Sequence, residues 1–137
     1  MEDTVIVIML EDKQTGVLDK ELGFYKISLH DDILVNAYAV ESEGEILTHI
    51  KLSTDRDVED WEFSPIYDNY DANIFGDEIM QMKEIEDCFN PTWELTFHFT
   101  ENIEQMEQQL NKILTIHKKE LQDIYAVIQE NKEFYTE

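Results

Sequence analysis

This chain is short of the residues that build most recognisable sites. Among 137 residues it has one cysteine, two prolines, four glycines and a single arginine, Arg56. One cysteine, Cys88, rules out an intramolecular disulfide, and it limits a tetrahedral zinc site to histidine and carboxylate ligands. Four scattered glycines leave no material for a glycine-rich phosphate loop or a nucleophile elbow. The longest apolar run, Val5 to Leu10, is far short of the roughly 20 residues that span a bilayer. The first residues, Met1-Glu2-Asp3, are acidic where a secretory signal is basic. A cytoplasmic protein is expected.

Positive charge is scarce as well: ten Lys and Arg stand against 32 Asp and Glu, a formal net charge of −22. Affinity for nucleic acid comes largely from Lys and Arg neutralising phosphates, so direct nucleic-acid binding is disfavoured. Anionic membranes are disfavoured for the same reason. A basic protein partner, a cation, or no charged partner at all remain open. Hydrophobic residues make up 42% of the chain, a content that disordered acidic tails lack, so a folded single domain over 1–137 is expected.

The pattern of apolar residues predicts an α+β fold: an antiparallel sheet of about five strands packed against a long C-terminal helix, with a short helical insertion before the last strand. Residues 4–10 are a continuous β-branched run, as in a strand covered on both faces. Residues 17–23 read as a connector ending at Gly23. A strand over 24–30 would place Tyr25, Ile27 and Leu29 on one face, with Lys26, Ser28 and His30 opposite. Asp31-Asp32 marks a tight turn, and a strand over 33–41 aligns Ile33, Val35, Ala37 and Ala39. Glu43-Gly44 is a hairpin turn, since the glycine supplies positive φ. A strand over 45–53 sets Ile46, Thr48, Ile50 and Leu52 against His49 and Lys51. Successive hairpins imply a meander.

Ser64-Pro65 signals a helix start, and Ile66, Tyr70 and Ile74 continue it to about residue 74, with Gly76 ending it. Residues 77–88 fit helical spacing slightly better than strand alternation. After the Asn90-Pro91 turn, 92–100 reads as a strand with Trp93, Leu95, Phe97 and Phe99 inward and Glu94, Thr96 and His98 outward. From Thr100 or Asn102 as cap, one long helix carries a broad stripe including Met106, Leu110, Leu114, His117, Leu121 and Ile128. That breadth suits packing on a sheet better than a coiled-coil seam. A monomer is therefore favoured over a homodimer through this helix.

Charge is concentrated in residues 55–87, where 12 acids face 2 bases. Aromatics interleave with them, as in Asp57-Val58-Glu59-Asp60-Trp61-Glu62-Phe63 and Tyr67-Asp68-Asn69-Tyr70-Asp71. The functional reading is a protein-interaction or regulatory module, not an enzyme. Its docking surface around 55–78 would use Asp57, Glu59, Asp60, Trp61, Glu62, Asp68 and Asp71. The plainer alternative puts Trp61, Phe63, Tyr67 and Tyr70 into the core and leaves the acids to solvate the outside.

Mimicry of nucleic acid is a sharper alternative. With roughly 7,500 Å² of folded surface, −22 amounts to about one charge per 340 Å², whereas B-DNA carries about one per 100 Å². Mimicry thus needs about threefold clustering on one face. A third alternative is a small-ligand or enzymatic site between helix and sheet, lined by Tyr38, Trp93 and Tyr125. No cofactor and no metal centre is expected. Asp68, Asp71, Asn73 and Gly76 fail the EF-hand pattern in any register, since Phe75 and Met82 fall where oxygen ligands belong. Cys88 follows Glu86-Asp87, a negative field that makes it a poor nucleophile. The run Arg56 to Asp68, with Asn90-Pro91-Thr92-Trp93 beyond it, resembles small acidic bacterial proteins of no assigned function. That resemblance implies no activity, ligand or site.

Overall fold

A computed structural model describes residues 4–12, 14–27 and 31–136. Six strands form one sheet: β1 Thr4–Glu11, β2 Leu18–Ile27, β3 Leu34–Ser42, β4 Glu45–Ser53, β5 Gln81–Ile85 and β6 Thr92–His98. Their order is β2-β1-β3-β4-β6-β5. Helix α1 spans Phe63–Asn69, the long helix α2 Ile103–Glu130, and a last turn α3 Lys132–Tyr135. The fold is α+β, with α2 packed along one face of the sheet.

The long helix follows its sequence closely. Asn102 caps it, its side chain accepting from the Gln105 N–H at 3.0 Å. Met106, Leu110, Ile113, Leu114, His117, Leu121 and Ile128 are fully buried against the sheet. Leu114, Leu121 and Ile128 sit seven apart and are all spent on intramolecular packing. Opposite them stand Ile8, Tyr25, Ile27, Ala39, Ile50, Leu52, Trp93, Leu95 and Phe97. The β3–β4 hairpin turns through Glu43 and Gly44, with φ of 51° and 83°, and Ser42 pairs with Glu45. That is the two-residue turn whose twist matches the flanking strands.

Several expectations need correction. The sheet is mixed, not a meander of about five strands. β1 lies between β2, its antiparallel partner, and β3, which runs parallel to it. β2 stays at the edge, where α2 occupies part of its backbone: the Lys26 N–H donates to Glu107 Oε2 at 2.6 Å, and its carbonyl accepts from Asn111 Nδ2 at 3.3 Å. β3 therefore adds on the far side of β1. Residues 18–23 of the expected connector are strand, paired with β1, and Gly23 makes room there for the Tyr25 ring. A Cβ at Gly23 would lie 2.7 Å from the Tyr25 hydroxyl. β1 is covered on one face alone, with Val5 55% and Val7 39% exposed.

Val35 falls at a register shift between Leu34 and Asn36, so it leaves the face shared by Ala37 and Ala39 and is exposed. A 3-10 turn over Asp31–Ile33 replaces the tight turn. The expected strand end at 28–30, with Leu29 and His30, lies outside the described residues.

The helical insertion also differs. α1 ends at Asn69, and a separate 3-10 segment, Ala72–Glu78, is kinked at Gly76 (φ 55°, ψ −127°). Helix α1 starts two residues before Pro65, which fills its first turn, where no N–H is needed. Residues 81–85 form strand β5, because pairing along the free edge of β6 outweighs a weak helical spacing. The insertion is thus followed by a two-stranded hairpin rather than by the last strand alone. Glu94 and Thr96 do face away from α2, yet they are nearly as buried as Trp93.

Candidate functional site

Segment 54–62 is a chain of side-chain-to-backbone bonds that fixes where each acid points. Thr54 Oγ1 donates to the Arg56 carbonyl at 2.7 Å. The Arg56 guanidinium lies 4.2 Å above the Tyr125 ring and forks onto Glu62 at 3.0 and 2.7 Å. Glu62 also accepts from the Glu59 N–H at 2.9 Å, closing a capping box. Its side chain is 5% exposed, so Glu62 faces Arg56 and not a partner. The Arg56 fork outweighs burial and holds the Glu62 carboxyl below its usual range. Trp61 Nε1 donates to Glu59 Oε2 at 2.8 Å, and the half-buried indole lies 5.4 Å below Lys132 Nζ. Asn90 bridges Asp57 Oδ1 and the Val58 N–H, both at 3.0 Å, which ties the 86–90 loop to this segment.

The aromatics of the segment mostly point inward. Tyr67 meets Trp93 edge-on at 5.2 Å, Tyr70 packs on Trp93 at 4.6 Å, and Phe75 is buried behind Tyr70. The carboxylates remain outside. Of the nine acids in 55–78, three hold an ion pair: Asp55 with Lys118 at 2.6 Å, Glu62 with Arg56, and Glu78 with Lys112 at 2.7 Å. Asp57, Glu59, Asp60, Asp68, Asp71 and Asp77 are exposed, and none has a base within 4 Å among the described residues. Asp71 caps the next turn, accepting from the Asn73 N–H at 3.0 Å. Five of the expected acids, Asp57, Glu59, Asp60, Asp68 and Asp71, with Asp77 besides, are thus exposed and unneutralised, while Glu62 and most of the aromatic rings serve the interior.

Beneath this surface His117 is a structural core histidine. Nε2–H donates to the Ser53 carbonyl at 2.8 Å, so Nδ1 accepts from the Tyr70 hydroxyl at 2.6 Å. Burial pushes its imidazole down to about 4, and the Ser53 carbonyl and Asp55 only partly offset that. It is neutral near pH 7.

A second cluster, on the sheet face away from α2, escaped the sequence. Glu94 Oε1 accepts from the Tyr38 hydroxyl at 2.8 Å and lies 3.2 Å from His49 Nδ1, and Glu94 Oε2 lies 3.4 Å from Lys83 Nζ. Tyr38 stacks on His49 with centroids 5.1 Å apart. Burial would raise the Glu94 carboxyl, but the Tyr38 bond and the nearby Lys83 and His49 hold it below the ordinary range. The alternation had marked His49 and Glu94 as outward. The missing signal was the cross-strand register: Tyr38 opposite His49, and Lys83 opposite Glu94. The cluster latches β3, β4, β6 and β5 together, and Thr96 Oγ1 lies 3.2 Å from His49 Nδ1 at its margin.

The three residues expected to line one site do not meet. Tyr38 bonds to Glu94 and Trp93 is buried in the core, so successive residues of β6 send them to opposite faces. Tyr125 donates to Asp55 Oδ1 at 2.9 Å, at the end of β4. Among the described residues no group of three His, Cys, Asp or Glu is placed to hold a metal ion, and no helix is long and apolar enough to cross a membrane.

A family model matches residues 1–136. The chain belongs to DUF6762, a family of unknown function. The resemblance read from Arg56 to Asp68 and from Asn90 to Trp93 thus holds over nearly the whole chain as membership of a family of unknown function. Searches of curated proteins and of solved structures gave no match.

Proposed function

We propose that this DUF6762 protein is a non-enzymatic protein-interaction module whose acidic β4–β5 segment takes a basic protein partner. The observation that carries this reading is the set of six exposed carboxylates, Asp57, Glu59, Asp60, Asp68, Asp71 and Asp77, left without an ion pair among the described residues on a segment whose one arginine is taken by Glu62. Charges that only solvate a surface are usually interspersed with bases. Here the backbone under them is fixed by caps and by Asn90, so a partner meets a preorganised field.

A nucleic-acid mimic is a less favoured form of the same idea. Spreading −22 over 8457 Å² gives about one net charge per 380 Å², well below the density of B-DNA.

The test is affinity capture from a lysate of the source organism at low and high salt, with Asp57→Lys plus Asp60→Lys beside Glu41→Lys plus Glu45→Lys. Both doubles change net charge equally, but the second lies at the β3–β4 turn, the end of β4 away from residues 54–62. Loss of a basic protein in the first double alone supports the reading. Equal capture by wild type and the first double refutes it. Displacement of the captured protein by duplex DNA would move mimicry to first place.

A further inference from the structure

The two edges of the sheet are treated differently. At β2 the register against β1 is broken twice, and α2 occupies the Lys26 N–H and carbonyl through Glu107 and Asn111. These are devices that stop another strand from adding. At β5 neither device is present. Its five residues pair with β6 in unbroken register, and among the described residues no strand lies on its other side. Gln81, Lys83 and Glu84 are exposed, and Met80 just before them is 52% exposed.

Beside this open edge is a pocket of about 90 Å³ lined by Tyr70, Ala72, Met82, Lys83, Glu84 and Trp93. Its aromatic walls suit an aliphatic stem and the Glu84 carboxylate a cationic head. Lys83 is turned to Glu94 on the opposite face. The surrounding acids Asp77, Glu84, Glu86 and Asp87 have no ion pair among the described residues. A second copy of this chain would bring the same four acids against themselves, so like-charge repulsion argues against self-pairing here.

We infer that the β5 edge receives an extended basic segment of the partner as a seventh strand, with one Lys or Arg side chain in the Tyr70–Trp93–Glu84 pocket. Main-chain pairing would supply affinity and the pocket specificity. This rests on the reading of a basic partner and names where and how that partner is held.

The probe is a short synthetic peptide alternating valine and lysine, compared with its valine–glutamate counterpart and with a version N-methylated at alternate amides. Binding is followed by amide NMR shifts of the full chain. The inference expects shifts centred on residues 81–85, and a loss of about tenfold or more in affinity both on N-methylation and in Ala72→Phe, which fills the pocket. Binding that is indifferent to N-methylation and to Ala72→Phe, yet abolished by Asp57→Lys with Asp60→Lys, would overturn strand addition and leave the basic-partner reading standing. Equal binding of the glutamate peptide would overturn both.

Discussion

Replacing His117 by Gln isolates one titration in the core. The imidazole is fully buried between Tyr70 and the Ser53 carbonyl, and its folded value is about 4 against an ordinary 6.5. The unfolded chain therefore takes up a proton below pH 6.5 that the folded chain refuses. Stability from this group is unchanged above that value and falls as pH drops, at about 1.4 kcal/mol per unit until about pH 4. Between pH 7.5 and pH 5 the loss integrates to about 2 kcal/mol. Gln can accept from Tyr70 and donate to Ser53 but cannot titrate. The variant should be less stable at pH 7.5 by roughly 1–2 kcal/mol, from imperfect hydrogen bonds. Its disadvantage should shrink or vanish by pH 5. Urea unfolding of both proteins at half-unit steps measures this directly. The self-repulsion of the acidic surface, and its relief on acidification, is common to both and cancels in the difference. Parallel stability–pH profiles would refute the assignment of His117 as a neutral core group.

Arg56→Ala should cost about 1–2 kcal/mol at pH 7, because Glu62 stays buried without its cation while the exposed Arg56 side tempers the effect by solvent screening. Glu62 stabilises the fold above the ordinary carboxylate value and loses that contribution as pH falls, so the deficit seen by urea unfolding should narrow toward pH 4. Gly44→Ala should cost about 1–2 kcal/mol, since φ there is 83° and a Cβ meets no neighbour, leaving backbone strain as the whole effect. Thermal unfolding of the variant measures it, and an unchanged Tm would contradict the turn assignment.

What the sequence revealed depended on how local the determining interaction was. Asn102 as cap, Glu43-Gly44 as turn, and Trp93, Leu95 and Phe97 as a core face are set by neighbours within a few residues, and each was legible. The edges were not. Residues 18–23 read as a connector because what makes them strand is their pairing with β1, outside the segment itself. Residues 81–85 became strand because β6 offered a free edge, which no window over 77–88 contains. The parallel contact of β1 with β3 pairs Leu10 with Ala39 and Glu11 with Val40, a separation no local window contains. The candidate surface was legible in its charge, and the plainer alternative, aromatics in the core, fits the packing of Tyr67 and Tyr70 on Trp93. Composition located the acids, but Tyr67 and Tyr70 fill space under Trp93, and Glu62 is taken by Arg56.

The distribution of bases carries the functional argument further than the net charge does. A chain with ten Lys and Arg could have scattered them evenly among its acids. Instead the described ion pairs gather where elements join: Lys118 with Asp55 and Asp32, Arg56 with Glu62, Lys112 with Glu78, and Lys83 with Glu94 across the strands. Lys118 and Lys112 tie α2 to neighbouring segments, Lys83 ties β5 to β6, and Arg56 holds its own segment together, so these four cations serve architecture. Nine carboxylates without an ion pair among the described residues lie on 57–60, 68–77 and 84–87, in a segment held by caps and by Asn90. Self-repulsion there works against folding, and the buried stripe of α2 against the sheet offsets it elsewhere. A basic partner strand laid on β5 would relieve that repulsion where it is densest. The same charges would exclude a second copy of this chain and any nucleic acid from the edge.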